Sequence, residues 1–238
     1  MKLDILVLTA HPDDAELGCG GTIALHVEQG KKVGIVDFTK GELGTRGTSE
    51  LRAQEAKASS QILGLTVRDN LEFADAFFVN DKEHQLAVIE KIRQYRPDIV
   101  LANAIQDRHS DHAKAADLAT TACFLSGLQK IETRYAGKLQ EAWRPKAVYH
   151  FIQNNYIKPD VVVDITQHWA IKIKAIRAFK SQFYDPESDE PKTFLSTSHF
   201  MEFVEARAKE LGHAIGVDYG EGFTVERTIG ISNLFHLL

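Results

Sequence analysis

Apolar residues in this chain fall in short unbroken runs, separated by longer stretches with helical spacing. Residues 3–10 form the first run, as a strand buried on both faces requires. A helical pattern over 17–29 follows and stops at Gly30. Residues 33–38 read as a second buried strand. A glycine-bearing loop, 39–48, then leads to Ser49, a candidate N-cap for a helix carrying Leu51, Ala53, Ala56, Ala58 and Ile62. A strand at 67–73, a helix at 82–95 stopped by Pro97, a strand at 99–102 and a helix from the polar loop 107–111 to about Gly127 continue the rhythm. Four strand–helix repeats predict right-handed βαβ units and an α/β fold with a mostly parallel, doubly wound sheet flanked by helices. After Trp143 the rhythm loosens, with strands expected at 147–152 and 161–165, helices near 168–181 and 199–211, and a polar loop at 184–191. No repeat or long linker divides residues 1–238, so one domain is expected.

Open parallel sheets bind ligands outside the carboxyl ends of their strands. Two polar clusters fall at that edge. His11-Pro12-Asp13-Asp14 follows the first strand, and Asp107-Arg108-His109-Ser110-Asp111-His112 follows the strand at 99–102. In the common doubly wound order these strands are neighbours, so the loops converge. Taken singly, each cluster reads as a capped or solvated helix start; two at one edge point to a site. His11, Asp14 and His112 supply two imidazoles and a carboxylate, a three-ligand set that leaves a fourth position for water on zinc. Asp13 beside them is placed to take a proton from that water. His109 suits an electrostatic stabiliser or general acid, with Asp111 or Asp107 fixing its tautomer. Such an assembly performs metal-assisted hydrolysis of an amide or ester.

A rival reading takes Gly18-Cys19-Gly20-Gly21, with Asp37 ending the second strand, as a dinucleotide fingerprint. The third glycine is missing at Ile23, and the run lies too far past the strand end for the tight first turn. Packing of an early helix turn against the metal loop is the better account. Arg52 and Glu55, three apart, read either as a surface ion pair or as site residues. Arg52 and Arg108 near a metal favour an anionic substrate, because guanidinium grips carboxylate bidentately. The 39–48 loop is either a lid or a turn-rich connection.

Composition narrows the classes. The 238 residues are 44% hydrophobic and 26% charged with a net charge of −5, an ordinary globular balance. Excess acid argues against nucleic-acid and anionic-membrane partners. No run reaches the about 18 apolar residues of a membrane helix, and the N-terminus is too short and acidic for a signal peptide. Cys19 and Cys123 lack metal or disulfide spacing and suit buried, reduced thiols in a cytoplasmic protein. There are ten histidines, of which His150 and His199 also fall near possible site edges.

His11-Pro12-Asp13-Asp14, the Gly18 to Thr22 run, the Thr39 to Glu42 loop, Arg52 with Glu55, and His109-Ser110-Asp111-His112 together resemble the zinc-dependent PIG-L/LmbE-like N-deacetylase family. Lys158-Pro159-Asp160, Ser181-Gln182-Phe183 and Tyr219-Gly220-Glu221-Gly222-Phe223 extend the similarity, most closely to its bacillithiol-pathway branch. The resemblance implies a Rossmann-like fold and removal of acetate from an N-acetylglucosamine conjugate, N-acetylglucosaminyl-L-malate in that branch, by a homo-oligomer. It places the ligands of one Zn2+, or Fe2+, on His11, Asp14 and His112, and the general base on Asp13. It makes His109 the charged catalytic histidine with Asp111 as partner, and Arg52 the substrate-binding arginine, with Arg108 a second contact for the malate. Related deacetylases carry an oxyanion-binding tyrosine near the start of the last long helix; His199 and Phe200 stand there instead, leaving His199, Tyr184 or no residue in that role. The alternatives are deacetylation of another conjugate, chitobiose-like or mycothiol-type, and a non-catalytic sugar- or nucleotide-binding protein.

Overall fold

A computed structural model describes residues 1–236. Its core is a seven-stranded sheet. β1 (Ile5–Thr9), β2 (Val33–Thr39), β3 (Val67–Phe73) and β4 (Ile99–Ala102) alternate with α1 (Asp14–Glu28), α2 (Ser49–Leu63), α3 (Lys82–Tyr95) and α4 (Ser110–Leu125). A two-stranded hairpin, β5 (Arg134–Tyr135) and β6 (Lys138–Leu139), precedes β7 (Ala147–Phe151), β8 (Val161–Asp164), α5 (Trp169–Ile176), α6 (Ser198–Ile215) and β9 (Gly220–Val225). The strand order is β3-β2-β1-β4-β7-β9-β8. β1 pairs in parallel with both β2 and β4, so the chain reverses direction across the sheet between β1 and β4. That is the switch point where open α/β sheets bind ligands.

Every residue of β1 and β2 is buried. One face of the sheet packs Leu6, Leu8, Val36 and Phe38 against α3 and α4, and the other packs Val7, Ile35 and Phe151 beneath α1, which contributes Ile23, and α5. The glycine run of α1 serves this packing rather than a nucleotide. A Cβ at Gly18 would stand 2.1 Å from the Phe151 ring. α1 breaks at Cys19 (φ −145, ψ 21). The carboxylate of Glu221 accepts the N–H groups of Gly21 (2.9 Å) and Thr22 (2.7 Å), and the Lys172 ammonium donates to Leu17 O (2.8 Å) and to Glu221 (2.6 Å). A buried ion pair thus supplies partners for backbone groups at the break, which an unpaired interior could not tolerate.

Two elements differ from the sequence expectation. β9, for which the sequence carries no strand expectation, inserts antiparallel between β7 and β8. Close neighbours demand its glycines, Gly220 and Gly222, since a Cβ at Gly220 would lie 2.7 Å from Val162 Cγ1. The β5–β6 hairpin closes through Ala136 and Gly137, both at positive φ, as its two-residue turn needs. Cys19 and Cys123 are buried free thiols, and among the described residues no helix is long and apolar enough to cross a membrane.

Candidate metal and catalytic site

The loops after β1, β3, β4 and β7 meet at the switch point. His11 and Asp14 come from the turn between β1 and α1, and His112 from the first turn of α4. Asp14 stands between the two rings: its Oδ1 is 3.0 Å from His112 Nε2 and its Oδ2 is 3.6 Å from His11 Nδ1. The outer ring nitrogens are each backed by a carboxylate, His11 Nε2 by Asp75 (3.0 Å) and His112 Nδ1 by Asp107 (2.5 Å). Asp14 is itself fixed by amide donors, Asn103 Nδ2 to Oδ2 (3.0 Å) and Gln153 Nε2 to Oδ1 (3.0 Å). Two imidazoles and a carboxylate, with outer carboxylates fixing ring orientation, fit a divalent ion such as zinc. Among the described residues, the sets whose ligand atoms all lie within 4.8 Å of one another are His11, His109 and His112, and His11, Asp75 and Asp111.

The same carboxylates set the local electrostatics. Burial opposes protonation of His112, yet Asp14 and Asp107 raise its pKa to about 9. Asp14, against the push of burial, is held well below the usual carboxylate range, chiefly by His112 and His11.

Asp13 occupies the N-cap position of α1 at φ 116, ψ −23, a left-handed conformation that non-glycine residues rarely adopt. Its side chain does not cap the helix; Arg52 Nη2 donates to it at 3.0 Å. Strain of this kind persists where a functional site over-determines the geometry. Burial pushes the Asp13 carboxyl up to about 7 against the pull of Arg52.

Other expected residues are placed differently. Arg52 is 5% exposed and lines the cavity, with its Nη groups donating to Asp13, Pro12 O (2.8 Å) and Gly41 O (3.3 Å) while its buried Nε has no protein partner. Gly41, at φ 64, leaves it room: a Cβ there would lie 2.0 Å from Arg52 Nη1. Glu55 does not pair with Arg52 and is not on the surface; its carboxylate accepts Ser181 N and Oγ, both at 2.7 Å. Asp111 does not orient the His109 ring. Its carboxylate accepts Ala76 N (2.9 Å) and Lys114 Nζ (3.0 Å) and lies 3.5 Å from His11 Nε2, while only its backbone N–H reaches His109 Nδ1 (3.3 Å). The reason is local. His109 is itself the N-cap of α4, so its ring folds back over the first helical N–H groups and Asp111 points into the turn after β3. Burial, together with His11 and His112, lowers the His109 pKa, favouring a neutral ring.

Arg108 lines the cavity, its guanidinium 4.2 Å from the centre of the Phe194 ring. His199 does not reach the cavity: on the outer face of α6 its side chain is 85% exposed and bonded to Glu202. Tyr184 is likewise exposed. His150 is buried behind the site, its Nδ1 2.8 Å from the carbonyl of Asn103. The 39–48 loop is tied down, with Arg46 donating to Ser181 O (2.8 Å) and Ser188 Oγ (2.9 Å) and Leu43 N to Asp75 (3.1 Å).

Asp107, offered as one of two partners for His109, lies instead against His112. Sequence reasoning missed Asp75, Asn103 and Gln153. Each stands just past a strand, after β3, β4 and β7. Reading every strand end for polar side chains would have found them.

The site opens into a cavity of about 610 Å³. Residues 6–123 match the family described as PIG-L: GlcNAc-PI de-N-acetylase. A diacetylchitobiose deacetylase of Thermococcus kodakarensis is 30% identical over 191 residues, covering 75% of this chain and 70% of that protein. A 4-oxalmesaconate hydratase of Pseudomonas putida is 28% identical over 193 residues, covering 74% and 73%. A probable N-acetyl-α-D-glucosaminyl L-malate deacetylase 2 of Bacillus cereus is 29% identical over 203 residues, covering 76% and 84%. Among solved structures, the conserved protein TT1542 of Thermus thermophilus superposes with a TM-score of 0.87 at 34% identity, covering 98% of both chains. Motif, fold and site geometry agree: the chain belongs to the PIG-L family of LmbE-like proteins.

Proposed function

We propose that this protein is a zinc-dependent N-deacetylase of an N-acetylglucosamine conjugate with an anionic aglycone, N-acetylglucosaminyl-L-malate being the first candidate. One observation carries the reading: His11, Asp14 and His112 converge, with outer carboxylates behind both rings and the Asp13–Arg52 pair alongside. His11, Asp14 and His112 would hold a divalent ion, which would supply Lewis-acid polarisation of the amide carbonyl and acidification of water. Asp13, fixed by Arg52, accepts the water proton and passes it towards the leaving nitrogen. His109, stacked on His112 with ring centres 5.0 Å apart, is placed to stabilise charge on the former carbonyl oxygen. Fe2+ suits the same oxygen and imidazole donors.

Arg108 and Lys192 line the cavity, and among the described residues neither has a carboxylate within ion-pair distance. They suit a carboxylate on the aglycone. The test is amine release from N-acetylglucosaminides that differ only in aglycone. Preference for the malate conjugate, diminished in Arg108→Ala, is expected; equal rates across the panel would reject the anionic aglycone. No amine release from any member would reject deacetylation.

The same cations favour a second reading, hydration of an unsaturated polycarboxylate, because the Pseudomonas putida relative is named a hydratase. Loss of alkene absorbance with such acids, without amine release from the sugars, would select it. A homo-oligomer, which the family resemblance implies, is tested by sedimentation velocity. The buried free thiols accord with a reducing cytoplasm.

A further inference from the structure

α6 turns one apolar stripe towards the cavity. Phe200, Phe203, Val204, Ala208 and Leu211 share one helical face, and all five line it. The opposing wall includes Leu17 and Ile152. Leu17 lies three residues after Asp14 on α1, hence on the same face, and Ile152 immediately precedes Gln153, whose amide holds Asp14. The apolar wall therefore begins one helical turn from a metal ligand. Lys172 and Glu221 border this lobe but bond to each other at 2.6 Å, so they present a satisfied pair rather than a free charge. Arg207 shares this face of α6 and also lines the cavity, but its guanidinium donates to the carbonyl oxygens of Gln153 (3.4 Å) and Asn154 (3.4 Å) and pairs with Glu210 (3.3 Å), so it too is satisfied. The apolar side chains of the stripe offer sugar hydroxyls no partners. A volume of about 610 Å³ lies in the range of sites for drug-sized ligands, roughly 300–1,000 Å³.

We propose that this lobe receives the acyl group of the substrate and that the enzyme cleaves N-acyl chains longer than acetyl. The inference rests on the amide-hydrolase reading above. The reaction is R–CO–NH–R′ + H2O → R–COO− + R′–NH3+. The C–N bond breaks and a C–O bond forms to the water oxygen, while both water protons finish on the amine. Binding follows from burial of methylenes against α6, each worth a two- to fourfold gain until the lobe is filled.

The test compares N-acetyl-, N-butanoyl-, N-hexanoyl- and N-octanoylglucosamine as substrates of the metal-loaded enzyme, with octyl N-acetylglucosaminide as the control for an apolar aglycone. Calorimetry with the metal-loaded Asp13→Asn protein measures the affinity of the same compounds without turnover. Both kcat/KM and affinity are expected to rise two- to fourfold per methylene from acetyl to hexanoyl, with no gain from the octyl aglycone. Ala208→Phe, which fills the lobe, is expected to flatten the rise. A flat or falling series, or a gain from the octyl aglycone alone, overturns the assignment even if acetyl is cleaved. Affinity that rises with acyl length while no compound is hydrolysed leaves the lobe in place and rejects the hydrolase reading instead.

Discussion

Arg52 Nη2 stands 3.0 Å from Asp13 Oδ2, and each side chain is about 6% exposed. The arginine is thus the counter-charge of the carboxylate read here as the base. A buried carboxylate at left-handed backbone geometry needs such a partner, because an unpaired interior charge is costly.

Removing Arg52 takes away a positive charge that lowers the Asp13 pKa. A base works deprotonated, so the acid limb of kcat/KM in Arg52→Ala is expected to move to higher pH, by on the order of one unit or more. Arg52→Lys should lie between. A pH–rate profile checks this, and an unmoved acid limb rejects the pairing as a tuning device.

Asp13→Asn keeps all three metal ligands and removes the base. Metal content should stay at one per chain while kcat falls by ~10²–10⁴. Mass-spectrometric metal analysis beside amine release separates the two effects, and retained turnover would remove Asp13 from the mechanism.

Asp75 and Asp107 lie against the outer ring nitrogens of His11 and His112. Asp75→Asn and Asp107→Asn are each expected to weaken metal affinity about 10–100-fold in chelator competition while the protein stays folded. Unchanged affinity would show that the outer carboxylates do not position the rings.

Arg68 lies behind the site, bonded to Asp37 through Nε (2.7 Å) and Nη2 (3.0 Å) and to Glu16 through Nη1 (2.6 Å). Arg68→Met strands two buried carboxylates and should cost about 3–5 kcal/mol in urea unfolding. A cost below ~1 kcal/mol would show that they find other partners.

Asp69 gives a pH-dependent stability term away from the metal. Burial pushes its carboxyl up, but hydrogen bonds from Lys91 (2.8 Å) and Tyr95 (2.5 Å) outweigh this and leave it below its usual value. A depressed folded-state pKa stabilises above the unfolded pKa, ~3.9, and that contribution disappears as pH falls through the folded value. Asp69→Asn should therefore be less stable than wild type at pH 7, with the gap closing below about pH 4. A constant gap in urea midpoints between pH 7 and pH 3 contradicts this.

Much of the frame was legible locally. The unbroken runs at 3–10 and 33–38 mark strands covered on both faces, and the four-fold alternation with helices implies β1 beside β4. With that adjacency, polar residues after two strand ends sufficed to bring His11, Asp13, Asp14 and His112 together. β9 was not legible, because Gly220 and Gly222 weaken a strand signal and are required only by what presses against them. The spacing of Arg52 and Glu55 left an ion pair and a site role both open, and each has its partner on another element.

The sequence by itself determined the α/β alternation, the strand ends and the residue types of the metal set, since these depend on hydrophobic period and on chemistry held within a few neighbouring residues. Only tertiary structure decided which carboxylate backs which histidine, that Arg52 serves Asp13, that His199 faces solvent, and that an apolar stripe of α6 borders the cavity. Those outcomes depend on side-chain directions and on contacts between elements far apart in the chain, where backbone packing overrides local spacing.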